Sequence, residues 1–352
     1  MSDETRPIAS TLAQEFDLRA DQALAALGAV RAVVESDGPA RARGDQLLAV
    51  TAATLGLGDD WRALPAVDPQ QVADAFPSPA ARRVLVDALL IPACIEGEVT
   101  RAGEAVVRSF AAALRVRSPW VPLLGPMRRR RVFAVKRQLG RRSPDVRRLF
   151  ARIWSEEGLR GLWRAFQFIR GKLVDPRLAA RFRALDALPD GSFGRHFFDH
   201  LTGRGLTFPG EPGGVPERMV HHDLMHVING YDTDPAGECQ LAGFYAAFCP
   251  GESFTFIVTV LATFQLGLPV SPAVVLPARG AFDPARVIAA FLRGRRLRVD
   301  IMGPWDYWSL LPLPLDEARA RLGLADPSAP PGRAAVLPIS PRPAQPGSNA
   351  NG

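Results

Sequence analysis

Residues 10–114 are patterned as one helix after another, and this feature most strongly limits what the chain can fold into. Alanine, leucine, valine and arginine dominate the segment, a composition that favours helix, and strand-type alternation of apolar and polar residues is absent. Helical spacing continues further along the chain, and 47% of all residues are hydrophobic, as in globular proteins. We therefore predict an all-α protein in which two helical units are joined by basic amphipathic helices.

Charge and proline content divide the chain into four predicted segments. A helical module over residues 10–114 precedes a basic connector over 115–172, which holds 17 basic and 3 acidic residues. A second globular unit follows over 173–326, and the tail over 327–352 is rich in proline, serine, glycine and asparagine. We predict that the tail is disordered, because it has too little apolar surface to offset the entropy of ordering it.

The basic connector predicts an anionic partner. It contains the run Arg128–Arg131 and apolar stripes at helical spacing that include Trp154 and Trp163. Such helices fit a membrane surface or a nucleic acid, and the alternative is a solvated face whose stripe packs on the protein itself. We predict peripheral association with a membrane surface and no nucleic-acid partner.

Neither export nor membrane spanning is predicted. The first residues lack the apolar core of a signal peptide, and three cysteines without CxxC spacing fit a reducing cytoplasm. Residues 253–268 carry no charge, but a span needs about 20 apolar residues and this segment ends at Pro269. We predict that residues 253–268 form a buried core helix or the wall of an apolar pocket.

A short motif occurs twice in the N-terminal module, 59 residues apart. The two copies are Asp37-Gly38 with Gly44-Asp45, and Glu96-Gly97 with Gly103-Glu104. Each is either a turn that binds a divalent metal or a connector in which glycine adopts a positive φ and the acid caps the following helix. Neither copy has the ligand count of an EF-hand loop, which favours the connector. The pattern resembles the all-helical domain of TerB-like tellurite-resistance proteins over residues 10–114.

All five histidines lie between residues 196 and 226, and the densest group predicts a metal site. His222 and His226 are one helical turn apart and Asp223 precedes His226 by three residues, so their side chains can converge on one point. The opposite face is apolar and provides a core side: Val220, Leu224, Val227 and Ile228. A histidine pair at this spacing can also be a polar surface patch, but its position opposite the core stripe favours metal binding.

A second helix returns a carboxylate to the same point. The first helix is predicted to end at Asn229-Gly230 and the next to begin at Asp234-Pro235, which places Glu238 across the turn. A second pair, His196 and His200, has the same spacing and could add ligands. Two imidazoles and two carboxylates suit a borderline divalent ion. The predicted zinc ligands are His222, Asp223, His226 and Glu238.

Other motifs fit less well. A zincin protease has glutamate where this chain has Asp223, and an HD-type phosphohydrolase needs further histidine and aspartate residues far away in sequence. The sequence contains no GxGxxG, no GxxxxGK[ST] and no Gly-x-Ser-x-Gly motif, so dinucleotide, P-loop and hydrolase-elbow chemistry is not predicted.

The predicted ligands resemble a family signature. The pattern His222-Asp223-x-x-His226, eleven residues and then Glu238 is similar to that of the coenzyme Q biosynthesis protein 4 family. Residues 193–201 resemble the helix that precedes the family motif, and 305–324 resemble its C-terminal helix. Residues 217–220 stand where the family has an Arg-x-Arg-Glu run. The resemblance covers about residues 178–326.

The resemblance implies an all-helical, peripherally membrane-associated protein that binds zinc through the four matching residues and holds the polyprenyl tail of a quinone precursor. It implies a role in ubiquinone biosynthesis, decarboxylating a prenylated hydroxybenzoate, organising other quinone-biosynthesis enzymes, or both. For a general acid, His221 and Tyr231 are the nearby candidates. The alternatives are a non-catalytic prenyl-lipid-binding scaffold and a structural metal hairpin on a nucleic-acid-binding protein.

Overall fold

The computed structural model describes residues 16–142, 174–248, 253–270, 276–302 and 305–325. The predicted helices around Trp154 and Trp163 and the proline-rich tail lie outside these residues. The described parts contain α-helices, short 3₁₀ turns and two isolated β-bridges, but no strand. The prediction of an all-α fold is therefore confirmed.

The described residues form fifteen α-helices, numbered here in chain order. They are α1 (Ala20–Val34), α2 (Ala42–Thr54), α3 (Pro69–Ala75), α4 (Pro79–Ala88), α5 (Leu90–Cys94), α6 (Arg101–Ala113), α7 (Leu124–Arg128), α8 (Val132–Arg142), α9 (Pro176–Arg183), α10 (Phe193–Gly203), α11 (Val220–Asn229), α12 (Pro235–Ala246), α13 (Ser253–Val260), α14 (Pro284–Gly294) and α15 (Leu315–Arg321).

Many helix starts are encoded by a capping side chain followed by proline. In α3, α4, α9, α12 and α14, an Asp or Ser side chain accepts a hydrogen bond from a first-turn backbone N–H. Proline follows the capping residue in all five, where its missing N–H costs nothing. Each capping hydrogen bond contributes about 1 kcal/mol to helix stability. The capping residue and the proline are consecutive in sequence, so these helix starts are encoded locally.

The described chain forms two compact units, and they do not follow the four predicted consecutive segments. Unit 1 contains the described residues of 16–142 and 232–295, and unit 2 contains those of 174–231 and 296–325. Helices α12 to α14 therefore pack with the N-terminal helices, although the sequence had suggested one continuous second unit. The chain returns to unit 2 for α15.

Buried hydrogen bonds show why the two distant stretches of unit 1 belong together. The side-chain amide of Gln265 donates to the carbonyl oxygen of Ile95, and its oxygen accepts from the backbone N–H of Phe282 at 3.0 Å. Arg130 donates to the carbonyl oxygen of Leu266 at 3.0 Å. The two bonds of Gln265 are buried and satisfy polar groups that would otherwise be left unpaired, and the bond of Arg130 is part-buried.

The uncharged segment 253–268 is a buried helix of the unit 1 core, in agreement with one of its two predicted alternatives. Helix α13 continues into a π-helical turn at Leu261–Gln265, and Val258, Leu261 and Ala262 have no exposed surface. Among the described helices, none combines the length and the apolar character needed to cross a membrane.

The repeated acid-glycine motif serves as a pair of helix connectors. Gly38 and Gly97 both adopt positive φ values, +120° and +80°, as the connector interpretation predicts. The capping differs from that interpretation. The carboxylate of Glu96 accepts from the backbone N–H of Gly44 at 2.8 Å, so it caps the start of α2 in the other copy, whereas Thr100 caps its own helix α6.

Candidate metal centre

Helix α11 presents the two predicted histidine ligands. The helix spans Val220–Asn229, and its core face buries Val220, Leu224 and Ile228 completely. His222 and His226 are separated by one turn of this helix. His226 is only 1% exposed and His222 is half-buried, so the pair lies at the edge of the packed region rather than on an open surface.

The separation of the two imidazole nitrogens matches that of zinc ligands. Nε2 of His222 lies 3.4 Å from Nε2 of His226, and the ring planes are inclined by 78°. Two Zn–N bonds of about 2.0–2.1 Å at a tetrahedral angle place their nitrogens about 3.4 Å apart. Helical spacing and side-chain geometry therefore fit one ion bound by both rings.

The end of α11 orients the ring of His226. Gly230 adopts a left-handed conformation with φ of 69°, which turns the chain so that the backbone N–H of Tyr231 donates to the His226 carbonyl at 3.1 Å. The Tyr231 carbonyl oxygen in turn lies 3.2 Å from His226 Nδ1. With its proton on Nδ1, the ring donates to this carbonyl and keeps the Nε2 lone pair for a metal, as metal-binding histidines commonly do.

The carboxylate ligand comes from the next helix. Asp234 caps α12 by accepting from the backbone N–H of Gly237 at 2.7 Å, and Glu238 lies in the first turn, as predicted. A ligand atom from each of His222, His226 and Glu238 lies within 4.8 Å of the others. This group can hold a metal ion.

The structure brings three of the four predicted ligands together. Asp223, the fourth, is partly buried on α11 and is not a member of this group. Asp223 follows His222 directly on α11, rotated from it by about 100° around the helix axis, and its role as a ligand stays a prediction.

The second predicted histidine pair separates into two different environments. His200 is buried on α10, and its ring lies 6.0 Å from that of His226 in a nearly parallel arrangement. His196, one turn earlier, is exposed. Of this pair, only His200 lies beside the candidate ligands. His221 and Tyr231 are their neighbours in sequence, and the role of either as a general acid stays a prediction.

Contacts from the C-terminal part of unit 2 hold α11 in place. Arg319 of α15 donates to the carbonyl oxygen of Ile228 at 2.8 Å, near the helix end that orients His226. Ahead of α11, Glu217 accepts from the hydroxyl of Tyr307 at 3.0 Å and from the indole of Trp308 at 3.2 Å. The family resemblance included the segments 217–220 and 305–324, but no sequence pattern indicated these contacts, because the partners are about 90 positions apart in the chain.

Comparison of the chain with protein-family models and with curated proteins finds no match. The family resemblances therefore remain predictions from the motif residues.

Proposed function

We propose that this protein is a zinc-dependent carboxy-lyase of ubiquinone or related prenyl-quinone biosynthesis that removes the carboxylate of a prenylated hydroxybenzoate. The metal part of the proposal rests on one observation, the convergence of His222, His226 and Glu238. The substrate class rests on the resemblance of the ligand pattern to the coenzyme Q biosynthesis protein 4 family. An organising role among quinone-biosynthesis enzymes is compatible with the same site.

Three ligands favour a functional over a structural ion. Structural zinc sites use four protein ligands, whereas catalytic sites use three, often two histidines and one glutamate, and leave a position for water or substrate. A bound Zn²⁺ supplies a Lewis acid for a substrate oxygen. In the reaction the ring–carboxylate bond breaks, CO₂ leaves, and a proton takes its place on the ring carbon.

The chain's own residues contribute orientation and a low-dielectric surrounding. With its proton on Nδ1, His226 donates to the carbonyl of Tyr231, and the Nε2 lone pair would bind the metal. The near-complete burial of His226 strengthens electrostatic interactions around it compared with those in water.

Metal analysis of the purified protein tests the site. Wild type is expected to carry about one Zn²⁺ per chain, and His226→Ala to lose most of it, because the remaining two ligands bind far more weakly. His196→Ala is the matched control, since it removes an exposed imidazole of α10. A hydrogen bond between the two rings is the alternative explanation for their 3.4 Å separation. Full zinc content in a variant lacking both His222 and His226 would contradict the site.

Release of CO₂ from a 3-polyprenyl-4-hydroxybenzoate tests the reaction. Zinc-loaded wild type and His196→Ala should form the decarboxylated product, and Glu238→Gln should not, because it loses the anionic ligand. If zinc is retained and prenyl lipid co-purifies but no product forms, the protein is a lipid-binding scaffold and the lyase proposal is wrong.

A further inference from the structure

A long stretch of unit 1 contains no acidic residue. Between Glu104 and Asp145 the sequence has no Asp or Glu but eleven Lys and Arg. Some of these are used within the fold: Arg128 pairs with Glu104 at 3.0 Å, and Arg130 and Arg142 donate to backbone carbonyls. Arg108 also pairs with Glu104, at 2.9 Å. The other basic residues of this stretch have no Asp or Glu between positions 105 and 144 to neutralise them.

Helix α8 carries these cations around an exposed aromatic ring. Val135 and Leu139, one turn apart, are buried and attach the helix to unit 1. The opposite face follows the spacing i, i+3, i+4, i+7 and i+8 of one helix side. Its exposed members are Phe133, Lys136, Arg137, Gly140 and Arg141.

The large apolar residue of this face is Phe133, which lies in the first turn of α8 and is 80% exposed. Lys136 and Arg137 follow it at i+3 and i+4, and Arg141 at i+8, and none of the three forms an ion pair within the described part of the chain. A large apolar side chain this open to water does not gain the hydrophobic stabilisation that contact with an apolar partner would provide. Its position beside these cations points to a partner that is both anionic and apolar.

We propose that the exposed face of α8 docks on an anionic lipid bilayer. Lys136, Arg137 and Arg141 would contact headgroup phosphates, while Phe133 enters the boundary between headgroups and acyl chains. A single-stranded nucleic acid is less well matched, because stacking sites present successive aromatic rings along a groove and this convex face presents one. The proposal is independent of the metal site, and either can fail without the other.

Vesicle co-sedimentation of the full chain tests the proposal. Binding should require phosphatidylglycerol in phosphatidylcholine vesicles and weaken with added salt. Phe133→Ser should reduce binding about tenfold by removing the inserted ring. Replacing Lys136, Arg137 and Arg141 by glutamine should reduce it about a hundredfold. Val84→Ser, at an exposed valine of α4, and Arg101→Gln, at an exposed arginine of α6, are the matched controls.

A second readout places the ring itself. In Phe133→Trp, brominated lipid should quench the added fluorescence relative to wild type, and unchanged thermal unfolding of all variants shows that they fold. Equal binding of wild type and Phe133→Ser to anionic vesicles would overturn the proposal. So would binding that does not depend on phosphatidylglycerol, or a loss of single-stranded DNA binding in Phe133→Ser, which would identify a stacking site instead.

Discussion

Burial of Asp87 should make unit 1 less stable as the pH rises. Asp87 is 6% exposed, and its carboxylate accepts a hydrogen bond from the hydroxyl of Ser118. Burial, opposed by this hydrogen bond and by the charge of Arg83, raises the pKa of Asp87 from 3.8 to about 6. The folded state therefore holds the proton more tightly than the unfolded state does.

The sign and size of the effect follow from linkage. A raised carboxyl pKa contributes stability that is fully present below pH 3.8 and is lost as the pH rises through about 6. A shift of about two pH units at about 1.4 kcal/mol each corresponds to about 3 kcal/mol. Asp87→Asn cannot ionise, yet it keeps an oxygen that accepts from Ser118. Relative to wild type, the free energy of unfolding of this variant should rise by about 3 kcal/mol between about pH 4 and pH 8.

Urea unfolding at a series of pH values, followed by circular dichroism, measures this difference. Asp45→Asn is the control with the opposite sign, because the hydrogen bond from Arg62 holds the pKa of Asp45 below its usual value. The stability contributed by Asp45 is present above its unfolded pKa and is lost as the pH falls. If wild type and Asp87→Asn lose the same stability from acid to neutral pH, burial does not control this carboxyl group and the reasoning is refuted.

Two local features give further predictions. Gly230→Ala should lower the free energy of unfolding by about 1–2 kcal/mol, because alanine disfavours a φ of 69°. The control Gly140→Ala, at an ordinary helical position of α8 with open space around it, should be neutral or stabilising by up to about 1 kcal/mol. Thermal unfolding measures both. Glu96→Ala removes the side-chain acceptor of the Gly44 N–H and should lower the free energy of unfolding by about 1 kcal/mol. Glu98→Ala, which removes an exposed ion pair with Arg41, should lower it by less. Equal losses in urea unfolding would contradict the capping role of Glu96.

Interactions between close neighbours in the chain could be predicted from the sequence. The all-α fold follows from helical periodicity, and the start of α12 follows from the cap Asp234 and Pro235. The end of α11 follows from Gly230, whose φ of 69° closes the helix. The approach of His222 and His226 is also local, because one helical turn separates them.

Contacts between distant residues were decided only by the tertiary structure. The sequence could not show that 232–295 pack with the N-terminal helices, since Gln265 finds its partner at Ile95, 170 positions away. It placed Asp223 and Glu238 equally among the ligands, whereas the group that the structure brings together contains Glu238 and the two histidines. It also assigned each acid-glycine motif to its own helix, whereas Glu96 caps α2. Periodicity and capping describe a few consecutive residues, while these partners depend on how helices pack.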